Sequence, residues 1–219
     1  MTTKEHKLSL AERRAVHAGD INVSEYFHGK KRFFNKAYGV NVVKVFAGEW
    51  VVSNKEDEML ATVLGSCISA CIRDPVAKVG GMNHFLLPGD EHSDAQASDA
   101  ARYGVNAMES LINGLLKSGA QKHRLELKIF GGGNVTQSSA KIGSKNAKFI
   151  REFLRAEGYR IASEDLEGEH PRSLHYYPVN GKVMMRKLRR QEDMVVVQEE
   201  AKYQRQINVK PIEGDIELF

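Results

Sequence analysis

Two residues in this chain of 219 have the types and spacing for covalent chemistry: Cys67, and His84 seventeen positions later. The cysteine directly follows a glycine–serine turn in Ala61-Thr62-Val63-Leu64-Gly65-Ser66-Cys67, and the histidine lies in Asn83-His84-Phe85 at the end of the next apolar run. A free thiol of pKa about 8.5 is only a few per cent thiolate at neutral pH, and a neighbouring imidazole raises that fraction by pairing with it. The two residues form a candidate nucleophile–base couple, provided that adjacent strands bring them together.

Each member also has a plainer reading. Free cysteines are among the most buried residue types, so Cys67 alone could be a small core residue; the turn in front of it favours the nucleophile. Cys71 sits among Ile68, Ala70 and Ile72 and reads as core. A metal site built on Cys67 and Cys71 would need two more ligands, and no compact His/Cys set supplies them, so neither metal nor cofactor is expected. His84 alone reads equally well as a satisfied strand histidine. The run Gly131-Gly132-Gly133 lacks both the Lys-Ser/Thr of a P-loop and the spacing of a dinucleotide fingerprint. It reads as a place where the backbone turns or approaches something closely, with Asn134 a weak candidate donor. Thr62, Ser66 and Ser69 are available hydroxyls, residue types more often structural than catalytic.

The elements that must position these residues follow from periodicity. Short apolar runs at 42–46, 49–52, 59–64, 68–72, 79–87, 125–130, 159–162, 173–177 and 181–188 predict strands, and the three runs between 59 and 87 suggest a meander. Helical spacing predicts amphipathic helices over 103–116 and 143–157. The polar, acidic stretch 88–98 reads as a surface loop beside His84, either a gate or docking edge for a large substrate or simply solvated. The organisation is one α/β domain over 37–190, a polar basic arm over 1–36 with a short helix near 8–16, and a polar tail over 191–219 with apolar residues at 195–197 and 216–219.

Composition narrows the class of partner. Hydrophobic content of 42% and charged content of 27% suit a soluble globular domain. No apolar run approaches the roughly 18 residues of a membrane span, and the polar start lacks an apolar leader. Two cysteines make no disulfide framework and suit a reducing cytoplasm. The net charge of +4 resides wholly in residues 1–36, with eight Lys/Arg against four acids; the rest balances at 24 of each, so no nucleic-acid partner is expected.

Further motifs carry a resemblance. Thr62-Val63-Leu64-Gly65-Ser66-Cys67, Arg73-Asp74-Pro75, Gly80-Gly81-Met82-Asn83-His84-Phe85-Leu86-Leu87-Pro88, Lys128-Ile129-Phe130-Gly131-Gly132 and Ile142-Gly143-x-x-Asn146 resemble, in order and over roughly residues 40–185, the chemoreceptor glutamine deamidase family CheD. The resemblance implies a layered α/β/β sandwich of largely antiparallel strands with two main helices, similar to the catalytic domain of cytotoxic necrotizing factor toxins. It implies an amidohydrolase that converts glutamines of methyl-accepting chemotaxis receptors to glutamate, with Cys67 as nucleophile and His84 as base. Backbone N–H groups around Ser66, Cys67 and Ile68 would hold the oxyanion.

The family's third catalytic member is a threonine six residues before the cysteine. That position here is Ala61, with Thr62 five before. On a straight strand an odd offset points Thr62 away from Cys67, unless a bulge or turn at Gly65 restores the register; Ser66 is the spare hydroxyl. Two rival functions remain. One is a non-catalytic adaptor that binds receptors or the CheC phosphatase, the second partner the resemblance implies. The other is a cysteine protease or thioesterase with the same couple.

Overall fold

Apolar and β-branched runs broken by glycine, asparagine and aspartate turns give ten strands among the described residues, and the computed structural model sorts them into two five-stranded sheets. The structure describes residues 23–88, 94–135, 140–188 and 190–209. The first sheet takes β1 (Arg32–Asn35), β2 (Val40–Lys44), β4 (Glu58–Leu64), β9 (Arg172–Tyr176) and β10 (Val183–Lys187), in the order β1-β2-β4-β9-β10. The second holds β3 (Trp50–Ser53), β5 (Ile68–Asp74), β6 (Val79–Asn83), β7 (Glu126–Gly131) and β8 (Ile161–Leu166), in the order β3-β6-β5-β7-β8. The pairs β2–β4 and β7–β8 are parallel and the other pairings antiparallel.

Four helices accompany them among the described residues: α1 (Val23–His28), α2 (Asp94–Lys117), α3 (Ala140–Ala156) and α4 (Arg190–Val209). Successive strand side chains point to opposite faces, and that period of two builds the layers. Along β5, Ile68, Ala70 and Ile72 join Ile129 of β7 in a core with Leu111 of α2 and Ile150 of α3. Cys67 and Cys71 face the other way and pack between the sheets with Leu60, Leu64, Met82 and Leu174. On the far side of the first sheet, Met59, Ala61 and Val63 pack with Val23 and Tyr26 of α1 and Val196 of α4.

The mixed α/β class expected from sequence is the one observed, but the expectation of two main helices is corrected. α1 and α4 add a fourth, helical layer outside the first sheet. They lie in segments read as arm and tail, where six residues in one case and sparse apolar positions in the other hide the period. The meander is corrected as well. β4 belongs to the first sheet and β5 to the second, because Gly65 and Ser66 carry the chain across; only β5 and β6 pair directly. The expected loop over 88–98 already contains the start of α2 at Asp94. Residues 89–93, the short helix near 8–16 and the apolar end at 216–219 lie outside the described residues.

β5 is anchored at its end by the fully buried Asp74. One carboxylate oxygen accepts from the N–H groups of Val76 at 2.9 Å and Ala77 at 3.1 Å; the other accepts from Gln121 N–H at 2.9 Å and Arg124 Nε at 2.8 Å. Burial alone would raise its pKa, but Arg124 and the three N–H groups outweigh it and hold the carboxyl far below the usual range. Asp74→Ala should therefore cost roughly 3–5 kcal/mol in a denaturant melt, because Arg124 loses its partner and three donors lose their acceptor. With a lowered folded pKa, this contribution is present above the unfolded value of about 3.9 and is lost as pH falls through the folded one.

Candidate active site

The site grows from the crossing between the sheets. Leu60, Thr62 and Leu64 alternate along β4 with Met59, Ala61 and Val63, and the second set packs against the outer helices. Thr62 is thereby turned inward, and Ala61 is not. Gly65 and Ser66 then deliver Cys67 to the second sheet. The parity argument that set Thr62 opposite Cys67 fails because the two residues do not share a strand.

The chain around Cys67 is braced from three sides. Gly132 N–H donates to Cys67 O at 2.8 Å, Gly133 N–H to Gly65 O at 2.7 Å, and Asn146 Nδ2 of α3 to Ser66 O at 2.8 Å. Asn146 Oδ1 accepts Leu87 N–H at 3.1 Å, tying the same side chain to the segment after His84. The glycine run thus makes the close backbone approach its composition suggests. Gly131 has φ of +115°, and a Cβ there would lie 2.0 Å from Cys67 O. Asn134 is directed elsewhere, with Nδ2 3.4 Å from Ser144 Oγ.

His84 follows β6, where Ile68 and Phe85 exchange backbone hydrogen bonds at 2.8 and 2.9 Å and Gly48 N–H donates to His84 O at 2.7 Å. Its Nδ1 lies 2.8 Å from Thr62 Oγ1. The Thr62 hydroxyl spends its proton on Val45 O at 2.8 Å, and Tyr26 OH donates to the same carbonyl at 2.7 Å. Thr62 Oγ1 is therefore the acceptor, Nδ1 carries the proton, and Nε2 is left with a lone pair. Nε2 is buried and makes no hydrogen bond.

A fourth residue completes the cluster. Glu200 of α4 brings a carboxylate onto the turn: Oε1 accepts from the N–H groups of Gly65 at 2.8 Å and Cys67 at 3.1 Å, and Oε2 accepts from Ser66 N–H and Ser66 Oγ, both at 2.8 Å. Cys67 Sγ, a ring nitrogen of His84 and a Glu200 oxygen all lie within 4.8 Å of one another. Burial pushes the Cys67 thiol well above its ordinary value, and the Glu200 charge and hydrogen bond push the same way. Burial also holds His84 below the usual imidazole range, against the opposing pull of Glu200. In this conformation the couple is a neutral thiol and a neutral imidazole.

Comparisons with known proteins identify the family of the chain. The family model described as CheD chemotactic sensory transduction matches residues 86–187. The chain is 51% identical over 191 residues to the "Probable chemoreceptor glutamine deamidase CheD" of Rhodopseudomonas palustris strain BisA53, covering 86% of this chain and 89% of the relative. Proteins of the same description from Janthinobacterium sp. strain Marseille and Hydrogenovibrio crunogenus are 47% and 46% identical, over 85% and 84% of this chain and 93% and 96% of theirs. The chain belongs to the CheD family.

In this CheD-family chain the structure brings together three of the sequence-derived residues, Cys67, His84 and Thr62. Ser66 Oγ, held as a spare third hydroxyl, turns to Glu200 instead. Ile68 N–H is not available to an oxyanion because Phe85 O accepts it; the donors converging on the turn are those of Gly65, Ser66 and Cys67. Cys71 is a buried residue of the inter-sheet core. Sequence reasoning missed Glu200 altogether. The signal was there in Val196, Glu200, Tyr203 and Ile207, which recur at helical spacing, but one of the four is charged and the surrounding tail is polar. Cys67, His84 and Glu200 also make a donor set of the kind zinc accepts, one that linear spacing could not reveal. Both Glu200 oxygens are already hydrogen-bonded to the turn.

No helix among the described residues is long and apolar enough to cross a membrane.

Proposed function

We propose that this chain is a chemoreceptor glutamine deamidase, hydrolysing side-chain amides of methyl-accepting chemotaxis receptors to glutamate and ammonia. The observation that carries the reading is the convergence of a turn cysteine, a histidine with a free Nε2 and three backbone donors, in a chain of the CheD family. Cys67 is the nucleophile, His84 the base and Thr62 the residue that positions it.

His84 Nε2 takes the thiol proton as Sγ attacks the amide carbon, and the N–H groups of Ser66 and Cys67, joined by Gly65, stabilise the oxyanion. Each such donor is typically worth about 3–4 kcal/mol. The imidazolium returns its proton to the departing nitrogen, so ammonia leaves and a thioester remains. Neutral His84 then activates water, the S–C bond breaks, and the carboxylate product forms with the thiol restored. The test is intact-mass analysis of a receptor signalling fragment incubated with the protein. Deamidation adds about one dalton through replacement of NH₂ by OH, whereas chain cleavage would support the protease alternative and no change the adaptor. The receptor is the principal partner, and the CheC phosphatase is the second that this reading carries.

Thr62→Val removes the acceptor for the Nδ1 proton while keeping the volume. It should lower kcat about tenfold to a hundredfold, a part of the 10²–10⁴ that a positioned acid–base group supplies. Thr62→Ser restores the acceptor and should retain most of the activity. Equal loss in both variants, measured in the same mass assay, would assign Thr62 a packing role only.

A further inference from the structure

The mechanism leaves α4 and Glu200 unused, yet they occupy the place where the substrate must go. The Glu200 carboxylate takes the three backbone N–H groups that an oxyanion needs and adds the Ser66 hydroxyl. A Glu200 carboxylate oxygen lies within 4.8 Å of Cys67 Sγ and of a His84 ring nitrogen, the place the reacting group of a substrate would take. Cys67 is completely buried and His84 is 3% exposed, so no second side chain reaches them in this state.

The chain makes room for this helix at two glycines on separate loops. A Cβ on Gly65 would stand 2.7 Å from Glu200 Oε2, and one on Gly48 would stand 2.4 Å from Tyr203 Oη. Tyr203 OH also hydrogen-bonds Tyr103 OH of α2, Val196 is buried against the first sheet, and Ile207 packs on the inter-sheet core. One face of α4, from Val196 through Glu200 and Tyr203 to Ile207, is therefore seated over the couple.

The chemistry of the seat identifies what it recognises. Both oxygens accept N–H donors from the turn. A carboxylate satisfies that set, while a carboxamide would direct its own NH₂ toward an N–H group on one side. The group that fits best is the product of amide hydrolysis, carried on a helix. We propose that α4 is an internal product mimic: the turn 65–67 is a binding site for a helix-borne side-chain carboxylate, filled by Glu200 and thereby closed to receptor. This rests on the deamidase reading for its biological meaning, and on contacts within the chain for its geometry. The same seat accepts the glutamate formed on a receptor helix, so product and α4 compete for one place. The neutral state of the buried couple accords with a resting enzyme.

The experiment uses the full chain as wild type, Glu200→Gln and Tyr203→Ala. The first variant keeps the side-chain volume and removes the carboxylate; the second removes a contact of α4 without changing the charge beside Cys67. Two readouts are taken: the rate of Cys67 alkylation by iodoacetamide, followed by peptide mass, and the rate of receptor-fragment deamidation. Alkylation and deamidation should both rise by about tenfold or more in both variants, the factor given by about 1.4 kcal/mol of lost closure. Alkylation within twofold of wild type in both variants overturns the proposal. A rise confined to Glu200→Gln also overturns it, because that is a local charge effect on the thiol. A rise in alkylation with receptor turnover active but unchanged refutes the inhibitory role. A rise in alkylation with no receptor deamidation by any of the three proteins upholds the closure and sinks the deamidase reading instead.

Discussion

Cys67→Ala gives a folded protein that leaves the mass of a receptor fragment unchanged and releases no ammonia. Loss of the sulfur removes the thiol nucleophile beside His84, so no thioester can form. Turnover should fall by about 10⁴-fold or more, the scale on which removing a nucleophile acts in enzymes built on a nucleophile–base pair. The fold should survive. A buried cysteine reduced to alanine loses one heavy atom from the inter-sheet core, at a cost of roughly 1–2 kcal/mol, and the turn is held by backbone bonds that alanine keeps. Ammonia release and a denaturant melt on the same preparation separate the two effects. Retained turnover in a folded variant would remove Cys67 from the mechanism.

Gly131→Ala should damage the protein most for the smallest change in composition. The new Cβ would lie 2.0 Å from Cys67 O and 3.0 Å from the Cys67 carbonyl carbon, and both neighbours are backbone with no rotamer to yield. The φ of +115° adds a conformation that side chains rarely adopt. Relief requires parting β7 from β5, which would break the Gly132 N–H bond to Cys67 O and shift the nucleophile. We expect a loss of roughly 3–5 kcal/mol in a urea melt, from overpacking plus backbone strain. Turnover in the remaining folded protein should drop as well. Stability within about 1 kcal/mol of wild type, with kcat intact, would contradict this account of the glycine run.

The chemistry was more legible in sequence than the architecture. Cys67 and His84 stood out because few residue types can form a covalent intermediate and a turn exposed one of them. The run 59–64 reads as a strand because it is short and apolar, and in the fold all its residues are buried, but apolar content on both faces cannot tell which sheet a strand joins. That is why the crossing at Gly65 and Ser66 went unseen, and with it the orientation of Thr62. Ser66 and Cys67 are the donors expected from sequence; the bond of Gly65 N–H to Glu200 sets it beside them, and the bond of Ile68 N–H to Phe85 O takes that group away. Glu200 lies 133 positions from Cys67, and its burial depends on a helix whose apolar face is interrupted by that same charged residue. Local periodicity holds no information about such a contact.

The chain changes sheets within two residues, Gly65 and Ser66, and this has a consequence for how reactivity first arises. Thr62 lies in one sheet; Cys67 and His84 flank the ends of the interior strands β5 and β6 of the other; the brace from Asn146 comes later still in the chain. Neither sheet alone holds the couple with its positioning threonine. Pairings this distant in sequence form late, after loop closure has been offset by long-range packing. A half-folded chain thus carries the couple without Thr62 against the His84 ring. The couple, its threonine and its brace come together only when the two sheets have docked, so the site is a product of the whole fold and not of any one segment.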